Sequence, residues 1–127
     1  MQMRYKIFFL LMGAFLFAAP NWEYNPGDYE FTSWIVGGVV LSDGVNINAA
    51  DDMFAAFDAN GNVRGVAAQV IPAGGQYDGV ILYEMTMGSN ANGDILSFQY
   101  YDASTNVILD VNSYVSEIFR MASSDAS

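Results

Sequence analysis

The stretch that decides the fold is residues 51–67, Asp-Asp-Met-Phe-Ala-Ala-Phe-Asp-Ala-Asn-Gly-Asn-Val-Arg-Gly-Val-Ala. Two short apolar runs, Met53–Phe57 and residues 63–68, flank the pair Asn60-Gly61. Asn-Gly between apolar runs predicts a β-hairpin, because both residues tolerate the positive φ of a type I′ turn. Arg64 sits in the second run, so a rare cation lies beside the densest acidic patch of the chain. With a two- or four-residue loop Arg64 faces Phe57 across the hairpin. A one-residue slip sets it opposite Asp58 instead.

Strand grammar continues on both sides of the hairpin. Residues 29–41 are rich in Tyr, Phe, Thr, Trp, Ile and Val, all of which suit a pleated surface. The pair Gly37-Gly38 interrupts that run and predicts a bulge, giving one bent strand or two short ones. Residues 42–52 are polar and predict a surface loop, and residues 71–75 predict a second one. Downstream, strands are expected over 79–87, 95–101, 107–111 and 114–119, with turns at 88–94 (holding Asn92-Gly93) and 102–106. In the second of these, 95–101, Leu96, Phe98 and Tyr100 share one face while Ser97 and Gln99 share the other. The segment 114–119 also fits helical spacing, but its β-branched and aromatic content favours a strand.

About seven short strands separated by turns rich in Gly, Asn and Asp predict an all-β, immunoglobulin-like antiparallel β-sandwich. The chain has 127 residues, room for one ordinary domain. No internal repeat is visible, which removes solenoids and propellers.

Composition excludes more than it selects. There is no cysteine and no histidine, so disulfides, the usual zinc sites, Ser-His-Asp and Cys-His nucleophiles and imidazole acid–base catalysis all drop out. The formal net charge is -10, with only four basic residues, Arg4, Lys6, Arg64 and Arg120. Such a surface repels phosphate backbones and argues against nucleic acid.

Residues 1–18 predict a secretory signal peptide. Arg4 and Lys6 form a positive start, an apolar stretch follows over 7–17, and Ala18 and Ala19 are small enough for cleavage. The apolar stretch is shorter than the roughly twenty residues that cross a bilayer, so the membrane is met only through this segment during export. Residues 19–28 form a lead-in, 29–120 the β-sandwich domain and 121–127 a linker-like tail.

The order of short motifs carries a resemblance. The lead-in Trp22-Glu23-Tyr24-Asn25-Pro26-Gly27-Asp28-Tyr29-Glu30-Phe31 precedes a strand. It is followed by Asp52-Met53-Phe54-Ala55-Ala56-Phe57, by Arg64-Gly65-Val66-Ala67, and later by Tyr101-Asp102-Ala103-Ser104. Over about residues 22–111 this resembles a secreted immunoglobulin-like module repeated in surface proteins of Bacteroidota and other marine bacteria, often with type IX secretion sorting domains. The chain departs from it in a longer turn at 58–62 and in Val63, where the family often has cysteine. The resemblance implies a secreted or cell-surface location and transfers no settled activity.

Four groups of residues carry candidate chemistry. Asp58, Asn60 and Asn62 space oxygen-bearing side chains two apart, as the first half of a calcium loop does. An EF-hand would need Glu at position 69, where Gln69 stands. A polar turn is the plainer reading, and an irregular calcium site built from Asp51, Asp52 and Asp58 is the sharper one. Arg64 reads as a ligand-binding cation or, more plainly, as an ion pair within the sheet, its stem covering apolar surface. Among the aromatics, which include Trp34, Tyr77 and Tyr83, Trp22 and Tyr24 in the lead-in are the candidates for a sugar-stacking platform, against core or edge packing. Glu84 with Asp94 could form a glycosidase-like carboxylate pair, but fourteen acids make chance pairs inevitable.

These observations predict a non-catalytic structural or adhesive module, secreted or at the cell surface, whose partners are other extracellular modules or surface glycans. The alternative is a carbohydrate-binding module with calcium as an optional support; no other cofactor and no enzyme activity are expected.

Overall fold

The computed structural model describes residues 18–111. The expected signal segment, apart from Ala18, the expected strand over 114–119 and the tail lie outside the described residues. The chain enters through the lead-in, where Asn25 caps a single 3-10 turn, Pro26–Asp28, by accepting the Gly27 N–H at 3.2 Å. Proline opens such a turn without loss, since the first N–H has no partner to give up.

Among the described residues nine strand segments follow: β1 (Phe31–Gly38), β2 (Leu41–Ser42), β3 (Val45–Asn46), β4 (Met53–Phe57), β5 (Val63–Val66), β6 (Ala68–Val70), β7 (Leu82–Ser89), β8 (Ser97–Asp102) and β9 (Val107–Val111). They make a three-stranded sheet ordered β1-β7-β6 and a four-stranded sheet ordered β5-β4-β8-β9, with β2-β3 as a small ribbon. Every pairing is antiparallel. The expected all-β antiparallel sandwich is therefore the fold.

Side-chain alternation builds the core. On β7, Tyr83, Met85 and Met87 are buried while Glu84 is exposed; on β8, Phe98 and Tyr100 are buried while Ser97 is exposed. These meet Phe54 and Ala56 of β4 between the sheets. Phe54 contacts Tyr83 and Phe98 at 5.6 Å between ring centroids in each case, and Tyr83 meets Tyr100 edge-on at 6.2 Å. Each such buried ring contributes about 1.5–3 kcal/mol of transfer free energy. The central strand β4 is covered on its other face too, where Trp22 packs edge-on against Phe57 at 5.4 Å.

Three local readings change. The turn after β4 is a three-residue loop: Asp58 N–H donates to Asn62 O at 3.0 Å and Gly61 N–H to Asp58 O at 3.1 Å. Only Gly61 has positive φ (81°), so Asn60-Gly61 closes an ordinary turn with a left-handed glycine rather than a type I′ turn. The double positive φ occurs instead at Asp43-Gly44 (49° and 79°), inside the stretch expected to be a plain loop, where it joins β2 to β3. Finally, residues 63–70 are not one strand of one sheet. β5 pairs with β4 and β6 with β7, and the chain changes sheets at Ala67, whose N–H donates to Phe54 O at 2.8 Å. The interruption at Gly37-Gly38 is found, as a register shift of β1 against β7 between Ile35 and Gly38.

Candidate functional site

The acidic candidates do not converge on one site among the described residues. Asp58 closes its own turn: Oδ1 accepts the Asn60 and Asn62 N–H groups, both at 2.9 Å, and Oδ2 accepts Asn62 Nδ2 and Arg64 Nε, both at 3.0 Å. The Asn62 backbone donor foremost, with the Asn62 and Arg64 side chains and the Asn60 N–H, holds its carboxyl at about 2. Asp52 is buried, accepts the Tyr100 hydroxyl on one oxygen and takes the Ala103 N–H at 2.8 Å on the other. Asp51 is exposed beside it. Among the described residues no three acidic side chains gather into a cluster that could hold a metal. The carboxylates of Asp52 and Asp58 are committed to protein donors.

Arg64 is a structural clamp. Besides Asp58 it reaches Asp94 Oδ2 at 3.4 Å through Nη2, donates to the Gly88 carbonyl at 3.1 Å through Nη1, and lies over the Tyr29 ring at 4.9 Å. It thereby ties the turn after β4 to the end of β7, to the 89–94 turn and to the lead-in. Glu84 and Asp94 do not share a cleft wall: Glu84 is exposed on β7, while Asp94 sits in the turn, accepting Ser89 Oγ at 2.9 Å.

The lead-in aromatics pack against neighbouring rings, and Tyr24 also lines a groove on the adjoining sheet. Trp22 is half-buried on Phe57, and Tyr24 stacks on Tyr29 with centroids 5.8 Å apart. The Tyr24 hydroxyl is buried near Gly88 and finds no partner among the described residues. Burial, with Tyr29 beside it, pushes that phenol up.

Exposed aromatic surface lies one element further on. Trp34 is 65% exposed and Val36 82% exposed on the outer face of β1, away from the core. They border a shallow groove of about 510 Å³ across the outer face of the β1-β7-β6 sheet. Thr86, directly opposite Trp34 in the ladder, Glu84, and Ala68, opposite Glu84 on β6, lie between its borders, and Pro26, Tyr24 and Val66 also line it. Among the described residues Glu84 is the only charged side chain lining it.

Sequence reasoning included Trp34 among the aromatics but placed its candidates in the lead-in. On β1 both faces carry apolar residues, with Ile35 on one and Trp34 and Val36 on the other, so alternation alone did not show which faces water. The small residue at Ala68 that opens the groove carries no signal at all. No protein-family model, no curated protein and no solved structure matches the chain.

Proposed function

We propose that this chain is a non-catalytic recognition module of the cell exterior, structural or adhesive in role. One observation carries the reading: an apolar strip, Trp34 and Val36, stands open on the solvent face of a sheet beside a shallow groove. Contiguous exposed apolar surface on a small domain favours contact with a partner. The leader-like residues 1–18 support delivery outside the cytoplasm. No helix among the described residues is long and apolar enough to cross a membrane. The partner class that follows is other extracellular modules or surface glycans.

Expression of the full chain in a bacterial host, followed by fractionation and protease treatment of intact cells, tests the reading. Export with cleavage near Ala18 is the expected result; retention in the cytoplasm overturns it. A carbohydrate-binding role is the second reading, favoured by the grouping of Trp34 with Thr86 and Glu84. Repeating any binding measurement with calcium and with a chelator decides whether the ion supports it.

A further inference from the structure

We infer that the groove on the outer face of the β1-β7-β6 sheet is a binding site for an uncharged polysaccharide, with Trp34 as stacking wall and Glu84 and Thr86 as polar lining. The inference rests on the reading of the chain as an exported recognition module and names the ligand class of its exposed face.

The chemistry of the groove selects that class. Trp34 stands on a strand rather than a loop, so its backbone is fixed by the ladder to β7 and little ordering is needed on binding. At 65% exposure its indole is open to a flat partner. Beside it, Glu84 supplies acceptors only and Thr86 a hydroxyl that both donates and accepts. A pyranose matches this set, since one face of the ring is apolar C–H surface and its rim carries hydroxyl donors.

Charge narrows the choice further. Arg64 is the one basic residue in the described region and is engaged with Asp58 and Asp94, so among the described residues no cation faces the groove to balance Glu84. Polyuronates and sulfated glycans therefore meet repulsion, both from Glu84 and from a chain of formal net charge -10. The same net charge opposes docking of a second copy on this face. The groove is open rather than enclosed, and it runs over Ala68, where a short side chain leaves room for a chain-like ligand to lie across the strands. A polymer can pass through such a groove, whereas an enclosed pocket holds only a small ligand.

Affinity electrophoresis of the full chain tests this in gels containing uncharged polymers (mixed-linkage β-glucan, xylan, galactomannan) or polyanions (alginate, chondroitin sulfate), with light scattering across a concentration series. Retardation by at least one uncharged polymer and by neither polyanion is expected. Trp34→Ala should weaken that binding at least about tenfold, as loss of a central aromatic anchor does, and Trp34→Tyr should recover part of it. Glu84→Gln should weaken it several-fold, and Glu84→Lys should in addition admit the polyanions. Both positions are exposed, and an unchanged thermal midpoint confirms that the variants fold. The inference is overturned if no uncharged polymer binds, if Trp34→Ala binds like the parent, or if Trp34→Ala instead abolishes a concentration-dependent dimer. A chain found outside the cell that binds none of these polymers overturns the groove assignment and leaves the exported module standing; a cytoplasmic chain overturns both.

Discussion

Arg64 Nε donates to Asp58 Oδ2 at 3.0 Å although the two residues are not cross-strand partners. Phe57 is opposite Val63 and Ala56 opposite Gly65, so the ladder skips Arg64, which sits in a bulge between them. Neither hairpin register expected from the sequence applies. The bulge re-aims the side chain so that one guanidinium reaches the turn, the Gly88 carbonyl and the Tyr29 ring together.

Arg64→Ala should therefore destabilise the domain by about 2 kcal/mol, because it strips a part-buried carbonyl of its donor and removes a stem that covers apolar surface. Arg64→Lys should recover only part of the loss, since a single ammonium cannot reproduce the guanidinium fork. Urea unfolding checks this. A midpoint for Arg64→Lys equal to the parent would show that charge alone matters at this position.

The lowered carboxyl of Asp58 fixes the direction of an acid effect. Its folded value, about 2, lies below the usual aspartate value, so its contribution is present above the unfolded pKa near 4 and is lost as pH falls towards 2. Asp102, lowered by its hydrogen bonds from Ser104 and Thr105, acts in the same direction. Stability measured by denaturant titration should fall between about pH 5 and 2, and Asp58→Asn should flatten part of that slope. An unchanged slope in the variant would remove Asp58 as a source.

Much of the sandwich was legible because its strands alternate. Ser97, Phe98, Gln99 and Tyr100 read out-in-out-in in the sequence and in the fold. The bend at Gly37-Gly38 and the turn at 102–106 were marked by their own residues. What was not legible depends on distant partners. Nothing in Val-Arg-Gly-Val says that the strand will leave one sheet for the other at Ala67. That is decided by Phe54 and Glu84, one on each sheet. The buried role of Asp52 was hidden for the same reason, because its donors Tyr100 and Ala103 lie about fifty positions away. The candidate groove was legible only as a list of aromatics, since exposure of Trp34 depends on which face of β1 the β7 methionines occupy.

Gly65 lies where β5 passes over β7, and a side chain there meets atoms that cannot retreat far. A Cβ would stand 2.8 Å from the Thr86 carbonyl oxygen and 2.9 Å from both Met85 Sδ and Met87 Cγ. Methionine can yield, but a ladder carbonyl cannot without moving β7. Gly65→Ala should cost about 2 kcal/mol through overpacking, lowering the urea midpoint without changing the slope. Stability equal to the parent would mean that the two sheets can slide apart locally.

The buried pair Asp52 and Tyr100 predicts behaviour at the alkaline end. Burial foremost, then the hydrogen bond to Asp52 and the neighbouring Tyr83, pushes the Tyr100 phenol well up, and burial raises Tyr83 as well. Gln69 Nε2 fastens the same corner, donating to Ala49 O at 2.7 Å and reaching Tyr83 Oη at 3.3 Å. For phenols whose folded pKa lies above the unfolded value near 10, the stabilising contribution is complete below that value and is lost as pH rises through the folded one. Spectrophotometric titration at alkaline pH should show the Tyr83 and Tyr100 phenols ionising in a late phase, only as the fold opens. Tyr100→Phe should cost about 2 kcal/mol at neutral pH, because it leaves a buried carboxylate short of a donor. It should also remove one phenol from the late phase. If both phenols titrate near 10 with the circular dichroism of the sheet intact, the corner is wet and Asp52 is hydrated rather than held by Tyr100.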